Sequence, residues 1–339
     1  MDMVGTVTQG SGRAFKPQGD ADLPILGYEP HPNTLRVRVS PKIRYWISQW
    51  PGVSAPNNSR PRKIYIPAKI NEKVDCHMHL DQGASSVDVI AEADLRRSLG
   101  LRNGHKVLLQ VRQTPIPKIL HQIWVGPPMP DHLQKYREMW QETHPDWDLK
   151  LWGEEDLDWL EHQDLFDDWE THAPRNRGQW QANIARLEIL YKYGGVYADS
   201  DMQPLRSINP LMEKVNRGAF CVWQRELGHP KGPLLSNAFC GSYAGHSTIR
   251  SLLDRLRHNV RRYDGRRCTY TSGVKYWTKH IFRSDLTGHL DIFGQEVAMP
   301  YLPDKISDIN PDNYDAPEGA YLAHHWHNQR AGGNTGKYR

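Results

Sequence analysis

Tyr193-Gly194-Gly195-Val196-Tyr197-Ala198-Asp199-Ser200-Asp201 joins the end of one regular element to the start of another and finishes on two carboxylates. Upstream, from Gln179 to Tyr193, apolar residues recur at Ile184, Leu187, Leu190 and Tyr191, the period of a helix. Asn183 and Arg186 stand i, i+3 and share another face of that helix. The glycine pair ends the helix and permits a tight reversal. Val196-Tyr197-Ala198 then reads as a short strand that runs out into a loop. Alternation puts positions i and i+2 on one face, so Asp199 and Asp201 converge. Two carboxylates at a strand end suit a hard divalent cation, which can in turn neutralise a diphosphate. Acidic triplets also occur in solvated loops. The preceding helix, which brings Asn183 and Arg186 toward the same pocket, sets this one apart.

The segment Ala182-Asn183-Ile184-Ala185-Arg186-Leu187-Glu188-Ile189-Leu190, running into Tyr-Gly-Gly-Val-Tyr-Ala-Asp-Ser-Asp, resembles the DXD-containing sugar-transferase family. That family includes yeast-type initiating mannosyltransferases and, more distantly, glucosylating clostridial toxins. Ile116-Pro117-Lys118-Ile119-Leu120-His121-Gln122-Ile123-Trp124-Val125-Gly126 is similar to its opening strand, and His324-His325-Trp326 to its closing His motif. The likeness covers roughly Pro115 to Asn328. It implies an α/β, A-type (Rossmann-like) nucleotide-sugar transferase domain that uses manganese or magnesium and a UDP- or GDP-sugar, with retention of configuration. Carried over by position, Asp201 is the direct metal ligand, Asp199 a metal or ribose contact, and His324 a metal or diphosphate contact. Arg186 and Asn183 hold the donor sugar, Asn237 is a further sugar contact, and Trp124 and Gly195 lie on the nucleotide side. Relatives usually carry Asp where this chain has Asn183, and Ser-Trp where it has Asn328-Gln329-Arg330. Thr271-Ser272-Gly273-Val274 stands where the family has a loop near the donor.

With 339 residues, 38% of them apolar, and 12 Trp, the chain has material for two cored domains. Its four cysteines, Cys76, Cys221, Cys240 and Cys268, show neither zinc spacing nor a disulfide framework, which points to a reducing, cytoplasmic setting. No apolar run near membrane-spanning length and no leader-like start is present, so neither span nor secretion is expected. The net charge of +4 conceals a division: residues 1–112 hold 16 Lys and Arg against 10 Asp and Glu, and the remainder 27 against 29. A basic N-terminal part attracts anionic partners or is simply a solvated surface.

In that part, alternating runs at Thr34-Leu35-Arg36-Val37-Arg38-Val39, Lys63-Ile64-Tyr65-Ile66 and Lys106-Val107-Leu108-Leu109-Gln110-Val111 predict a small β-barrel. A helix over about 92–99 is expected to bury Ala91, Leu95 and Leu99 on one face and to stop at Gly100. Val4-Gly5-Thr6-Val7, Gly10-Ser11-Gly12-Arg13, the stretch from Leu26 to Arg36, Asp88-Val89-Ile90-Ala91 and Leu101-Arg102-Asn103-Gly104 together resemble the archaeal CTP-dependent riboflavin kinase, a cradle-loop barrel. The resemblance places a triphosphate at Gly10 and Gly12 and a magnesium contact at Thr34. Where the family's second magnesium ligand, an Asn, would stand, this chain has Arg36, a group that binds phosphate and repels a cation. The barrel is therefore expected to bind a nucleotide, CTP, a flavin or another anionic group without being an ordinary kinase.

Cys76-His77-Met78-His79 could ligate a soft metal, but on a strand its Cys and Met face away from its two His. The expected organisation is a barrel over 1–112, a proline linker over 113–117, a transferase domain over 118–330 and a flexible tail over 331–339. The acceptor stays open among small molecule, glycan, protein and modified nucleic acid. Rival readings are a bifunctional CTP-dependent kinase and glycosyltransferase, a transferase acting on nucleic-acid bases, and a non-enzymatic binding module.

Overall fold

The computed structural model describes residues 2–8, 35–41, 43, 47, 65–79, 86–111, 114–300 and 317–326. The chain forms two compact units, residues 1–115 with 244–251, and residues 116–243 with 252–339. Gly10, Gly12, Thr34, the closing residues Asn328-Gln329-Arg330 and the tail over 331–339 lie outside the described residues.

The first unit contains a closed antiparallel barrel of strands β1 (Asp2–Val7), β2 (Leu35–Arg38), β3 (Tyr65–Ile70), β4 (Val74–His79), β5 (Ser86–Ile90) and β6 (Lys106–Val111), ordered β1-β2-β5-β4-β3-β6. Period-two alternation builds it: Leu35 and Val37, Ala68 and Ile70, Cys76 and Met78, Val87 and Val89, and Val107 and Leu109 all point into one core. His77 and His79 face away from Cys76 and Met78, as alternation requires. Of the Lys63–Ile66 run, Tyr65 and Ile66 open β3, which continues through Pro67 to Ile70, while Lys63 and Ile64 lie outside the described residues. Pro67 pairs with His77 of β4, and among the described residues the ladder with β6 runs from Ala68 to Ile70. The helix expected over 92–99 is a single turn, α1 (Leu95–Ser98), because the Asp94 carboxylate caps it by accepting from the Arg96 and Arg97 amides at 3.0 and 3.2 Å.

The second unit is built on a six-stranded mixed sheet. Its strands are β7 (Ile119–Ile123), β8 (Asp148–Trp152), β9 (Gly195–Ala198), β11 (Ala219–Arg225), β12 (Leu234–Ser242) and β13 (Asp291–Phe293), in the order β13-β11-β12-β9-β7-β8. β7 runs parallel to β8 and β9, whereas β12 is antiparallel to both β9 and β11. Helix α2 (Asp131–Thr143) packs on β10 (Met202–Pro204), and α3 (Arg177–Tyr193) lies over β7, β9 and β12. Later come α4 (Ser247–Arg262), of which residues 252–262 belong to this unit, and α5 (Val274–Arg283), the latter packed on β12. β10 pairs with β14 (Leu322–His324) in a separate two-stranded ribbon. Among the described residues, no helix is long and apolar enough to cross a membrane.

The junction between α3 and β9 follows from two glycines. Gly194 at φ 69° caps the helix, its amide donating to Leu190 O at 3.0 Å, and Gly195 at φ 93° turns the chain into the strand. A Cβ on Gly195 would stand 2.6 Å from Ile119 O and 2.8 Å from His121 Nε2, so the close approach of β9 to β7 also demands glycine.

Candidate metal centre

Asp199 leaves the end of β9 with its amide held by Ala238 O at 2.8 Å. Ser200, between the two acidic residues, donates to Ile123 O at 3.3 Å and ties the loop to the end of β7. Asp201 then leads into β10, whose Met202 pairs with His324 of β14, while the His325 amide donates to Asp201 O at 3.0 Å. The ribbon thus carries a histidine from far along the chain to the acidic loop.

One ligand atom each from Asp199, Asp201 and His324 lie within 4.8 Å of one another, and among the described residues this is the one such His, Cys, Asp and Glu group. His324 Nε2 stands 3.1 Å from Asp201 Oδ1 and 4.0 Å from Asp199 Oδ2. Ligand atoms this close together would reach one small divalent ion, whose bonds to oxygen and nitrogen run about 2.0–2.6 Å. Two carboxylates with one imidazole suit manganese or magnesium better than a thiolate-seeking metal. The residues present therefore fit the ion that the resemblance implies.

Electrostatics reinforce the grouping. Burial pushes the Asp199 carboxyl above the usual carboxylate range; Arg186 opposes that shift and Asp201 adds to it. For His324, burial favours the neutral ring, but Asp201 and then Asp199 outweigh it and hold the pKa above the ordinary histidine value. A cation arriving here supplies the positive charge in place of that proton. Among the described residues His324 Nδ1 is buried without a hydrogen-bond partner, and its ring centroid lies 3.9 Å from that of Trp326.

Behind Asp199 stands a buried polar assembly. Tyr197 donates its hydroxyl to Asp199 Oδ1 at 2.8 Å, and Arg186 NH1 lies 3.3 Å from the same oxygen. Arg186 is 3% exposed, donates to Ala182 O at 3.0 Å and to Asn237 O, and holds its guanidinium 4.4 Å over the Tyr197 ring. Asn237 donates to Asn183 Oδ1 at 3.0 Å, and Asn183 donates to Ser272 Oγ at 3.3 Å. Arg186, Asn183, Asn237 and the loop at Ser272 are therefore brought together, each with partners inside the protein. Trp124 follows the end of β7, half-buried, with its indole donating to Pro127 O at 2.6 Å. Gly195 is accounted for by its packing against β7. His325 turns elsewhere, against Gln203 and the Tyr136 ring.

Three features escaped the sequence reading. Tyr197 figured there only as an apolar strand residue, although its i, i+2 relation to Asp199 was a usable signal. Glu188 accepts from the His162 amide at 3.1 Å and lies 2.7 Å from His162 Nδ1, both side chains being buried. Nothing local announces that pair beyond an acid amid apolar neighbours. In the barrel, Arg36 proves to be engaged by Asp88, its cross-strand neighbour, through two bonds of 2.7 and 3.0 Å.

Residues 130–217 match the family described as the glycosyltransferase sugar-binding region containing a DXD motif, a stretch that includes α3, Asp199 and Asp201. Among curated proteins, the chain is 26% identical over 225 residues to inositol phosphoceramide mannosyltransferase 3 of Schizosaccharomyces pombe, covering 64% of this chain and 57% of that protein. It is 30% identical over 151 residues to mannosyl phosphorylinositol ceramide synthase SUR1 of Saccharomyces cerevisiae, covering 42% and 35%. The chain thus spans little more than half the length of the first relative. Among solved structures, it is similar to the PaToxG glycosyltransferase at 16% identity and a TM-score of 0.39, covering 50% of this chain and 70% of that one. The matched residues 130–217 all fall within the second unit.

Proposed function

We propose that the second unit transfers a sugar from a nucleotide-sugar donor to an acceptor, using manganese or magnesium held by Asp199, Asp201 and His324. The observation that carries this reading is the convergence of these three side chains from β9, the turn after it and β14. The ion, when bound, would neutralise charge on the diphosphate leaving group. Tyr197 and Arg186 orient Asp199, and His324 would hold the ion through its neutral ring. Arg186, Asn183 and Asn237 form the polar wall for the donor sugar, with Trp124 and the end of β7 on the side of the nucleotide base.

Mannose is the sugar we favour, from the names of the yeast relatives, and GDP or UDP the carrier. Those names also favour an acceptor bearing a lipid-linked phosphate. An A-type fold and retention of configuration rest on the resemblance carried by residues 116–126, 182–201 and 324–326. A reducing compartment is supported by four free, buried cysteines, of which Cys221 and Cys240 face each other across β11 and β12 without a bond.

The barrel we assign to binding rather than phosphoryl transfer. Its Arg36 holds Asp88 with both arms of the guanidinium, which supports neither a cation there nor a phosphate unless that bridge opens. Thermal shift with CTP, riboflavin and FMN tests this: stabilisation by CTP together with flavin phosphorylation would restore the bifunctional reading.

For the transferase, the test is manganese-dependent cleavage across UDP- and GDP-sugars by wild type and Asp201→Ala. One donor cleaved by wild type only is the expected result. No cleavage of any donor, or equal cleavage by Asp201→Ala, would overturn it.

A further inference from the structure

Positive charge in the second unit is concentrated in one place. Residues 113–339 hold 27 Lys and Arg against 29 Asp and Glu, yet residues 262–283 hold six against a single acid, Asp264. Some cations elsewhere in the unit are neutralised by carboxylates, as in Lys118 with Asp146, Arg177 with Glu154 and Arg257 with Asp164. Among the described residues, none of Arg262, Arg266, Arg267, Lys275, Lys279 and Arg283 has a carboxylate partner.

These six form one surface around two tyrosines. Lys279 donates to the Tyr263 hydroxyl and lies 4.3 Å from that ring's centroid; Lys275 donates to the Tyr270 hydroxyl at 2.6 Å and lies 3.9 Å from its ring. Lys275 and Lys279 are i, i+4 on α5, so both clusters share that helix face. Arg262 stands 5.8 Å from the Tyr263 ring and Arg266 5.8 Å from the Tyr270 ring. A neutral phenol accepts a proton bond without cancelling the charge, so the surface stays cationic, and the phenols of Tyr263 and Tyr270 are drawn below their ordinary pKa by Lys279 and Lys275. Phe282, 39% exposed, falls on the same stripe of α5, three residues beyond Lys279. The opposite side of the helix is anchored by buried Tyr276, Trp277 and Ile281.

We propose that this face docks on the anionic headgroup layer of a lipid bilayer. Clustered Lys and Arg on a helical surface, with an aromatic ring among them, have the composition of an interfacial membrane contact. A single-stranded nucleic acid fits less well, because the tyrosine faces on which bases would stack are already covered by the protein's own lysines. The surface also leads to the sugar site. Tyr270 and Thr271 are tied to α4 through Asn259, and the next residue, Ser272, accepts from Asn183. A lipid held at the patch therefore lies along the chain from the polar wall assigned to the donor sugar. This link to catalysis rests on the transferase reading; the docking itself does not.

The test is co-sedimentation of the whole chain with vesicles of phosphatidylcholine alone and of phosphatidylcholine with phosphatidylinositol. Binding only to the second, weakening as salt rises, is expected. Arg266→Ala with Arg267→Ala should lower the partition coefficient about thirtyfold, at the usual worth of a surface cation near anionic lipid. Its melting temperature and donor cleavage should stay as in wild type. Phe282→Ser should weaken binding to anionic vesicles without changing the salt slope. Unchanged binding by the double variant, equal binding to neutral vesicles, or tighter binding to a single-stranded RNA than to anionic vesicles at the same salt would each overturn the proposal. Failure of sugar transfer in wild type would leave vesicle binding untouched, so the two readings fail separately.

Discussion

Tyr197 and Asp199 lie two residues apart at the end of one strand, and the tyrosine hydroxyl donates to the carboxylate at 2.8 Å. Tyr197 is fully buried beneath the Arg186 guanidinium, which approaches the same Asp199 oxygen at 3.3 Å. Asp199 therefore presents a fixed oxygen to the neighbouring Asp201 and His324. A carboxylate supported from behind in this way loses little freedom when an ion arrives.

Removing only that hydroxyl should be felt at the ion. Tyr197→Phe keeps the ring under Arg186 and deletes one hydrogen bond, so the fold should lose no more than about 1.5 kcal/mol. Manganese affinity, by calorimetric titration, should fall about 10–100-fold, the usual effect of losing a group that orients a ligand. Wild-type affinity in Tyr197→Phe would show that Asp199 needs no such support.

Asp201→Asn tests the ligand itself. Manganese in excess should raise the melting temperature of wild type, since an ion at about a hundred times its dissociation constant adds about 2.7 kcal/mol to the folded state. The variant should show no such rise, and a chelator should return wild type to the variant's behaviour. Because Asp201 and Asp199 raise the His324 pKa, a proton competes with the ion there, and wild-type affinity should increase with pH.

The helix, glycine pair, strand and acidic turn were legible because each is written in neighbouring residues: helical period, glycine at positive φ, then alternation. Three of the six barrel strands, β2, β3 and β6, were legible in part for the same reason, from alternation. His324 reached the site only by resemblance, since the β10 and β14 pairing that delivers it leaves no local trace. The helix near Leu95 was overextended because Ala91, Leu95 and Leu99 keep helical spacing, although Ala91 follows β5 and Leu99 is already the cap. Period also hid the surroundings of α3, where Asn183, Arg186 and Glu188 are as buried as the apolar positions. Their partners Asn237, Ser272 and His162 belong to other elements, and no pattern along one helix can name them.

Gly195→Ala should be among the most damaging single-methyl changes in the second unit. The added carbon meets Ile119 O at 2.6 Å and His121 Nε2 at 2.8 Å, and φ at 93° disfavours any side chain. Strain and overpacking together should cost about 3 kcal/mol or more by urea denaturation. Gly228→Ala separates the two effects, because φ there is 90° and nothing lies within 4 Å of the new carbon. It should show the conformational cost alone, about 1–3 kcal/mol.

His121 gives the same junction a dependence on pH. Trp152 Nε1 donates to His121 Nδ1 at 3.1 Å, so the ring proton sits on Nε2, which donates to Gly194 O at 2.9 Å. Burial lowers the pKa of this ring to about 4, the bond to Gly194 only partly opposing it. An unfolded histidine titrates near about 6.5. The folded state therefore resists a proton that the unfolded chain accepts, and the stability from a neutral His121 is complete above about pH 6.5. It is lost as pH falls from there toward 4, at up to about 1.4 kcal/mol per pH unit, and levels off below. His324, whose pKa is raised, contributes with the opposite sign, so the two must be separated by substitution. Urea denaturation of wild type and His121→Gln at pH 7 and pH 4.5 does this. The variant should lose about 2–3 kcal/mol less than wild type between the two conditions. Parallel losses would mean that His121 takes up its proton in the folded state as readily as in the unfolded chain, and that the bond from Trp152 does not fix its tautomer.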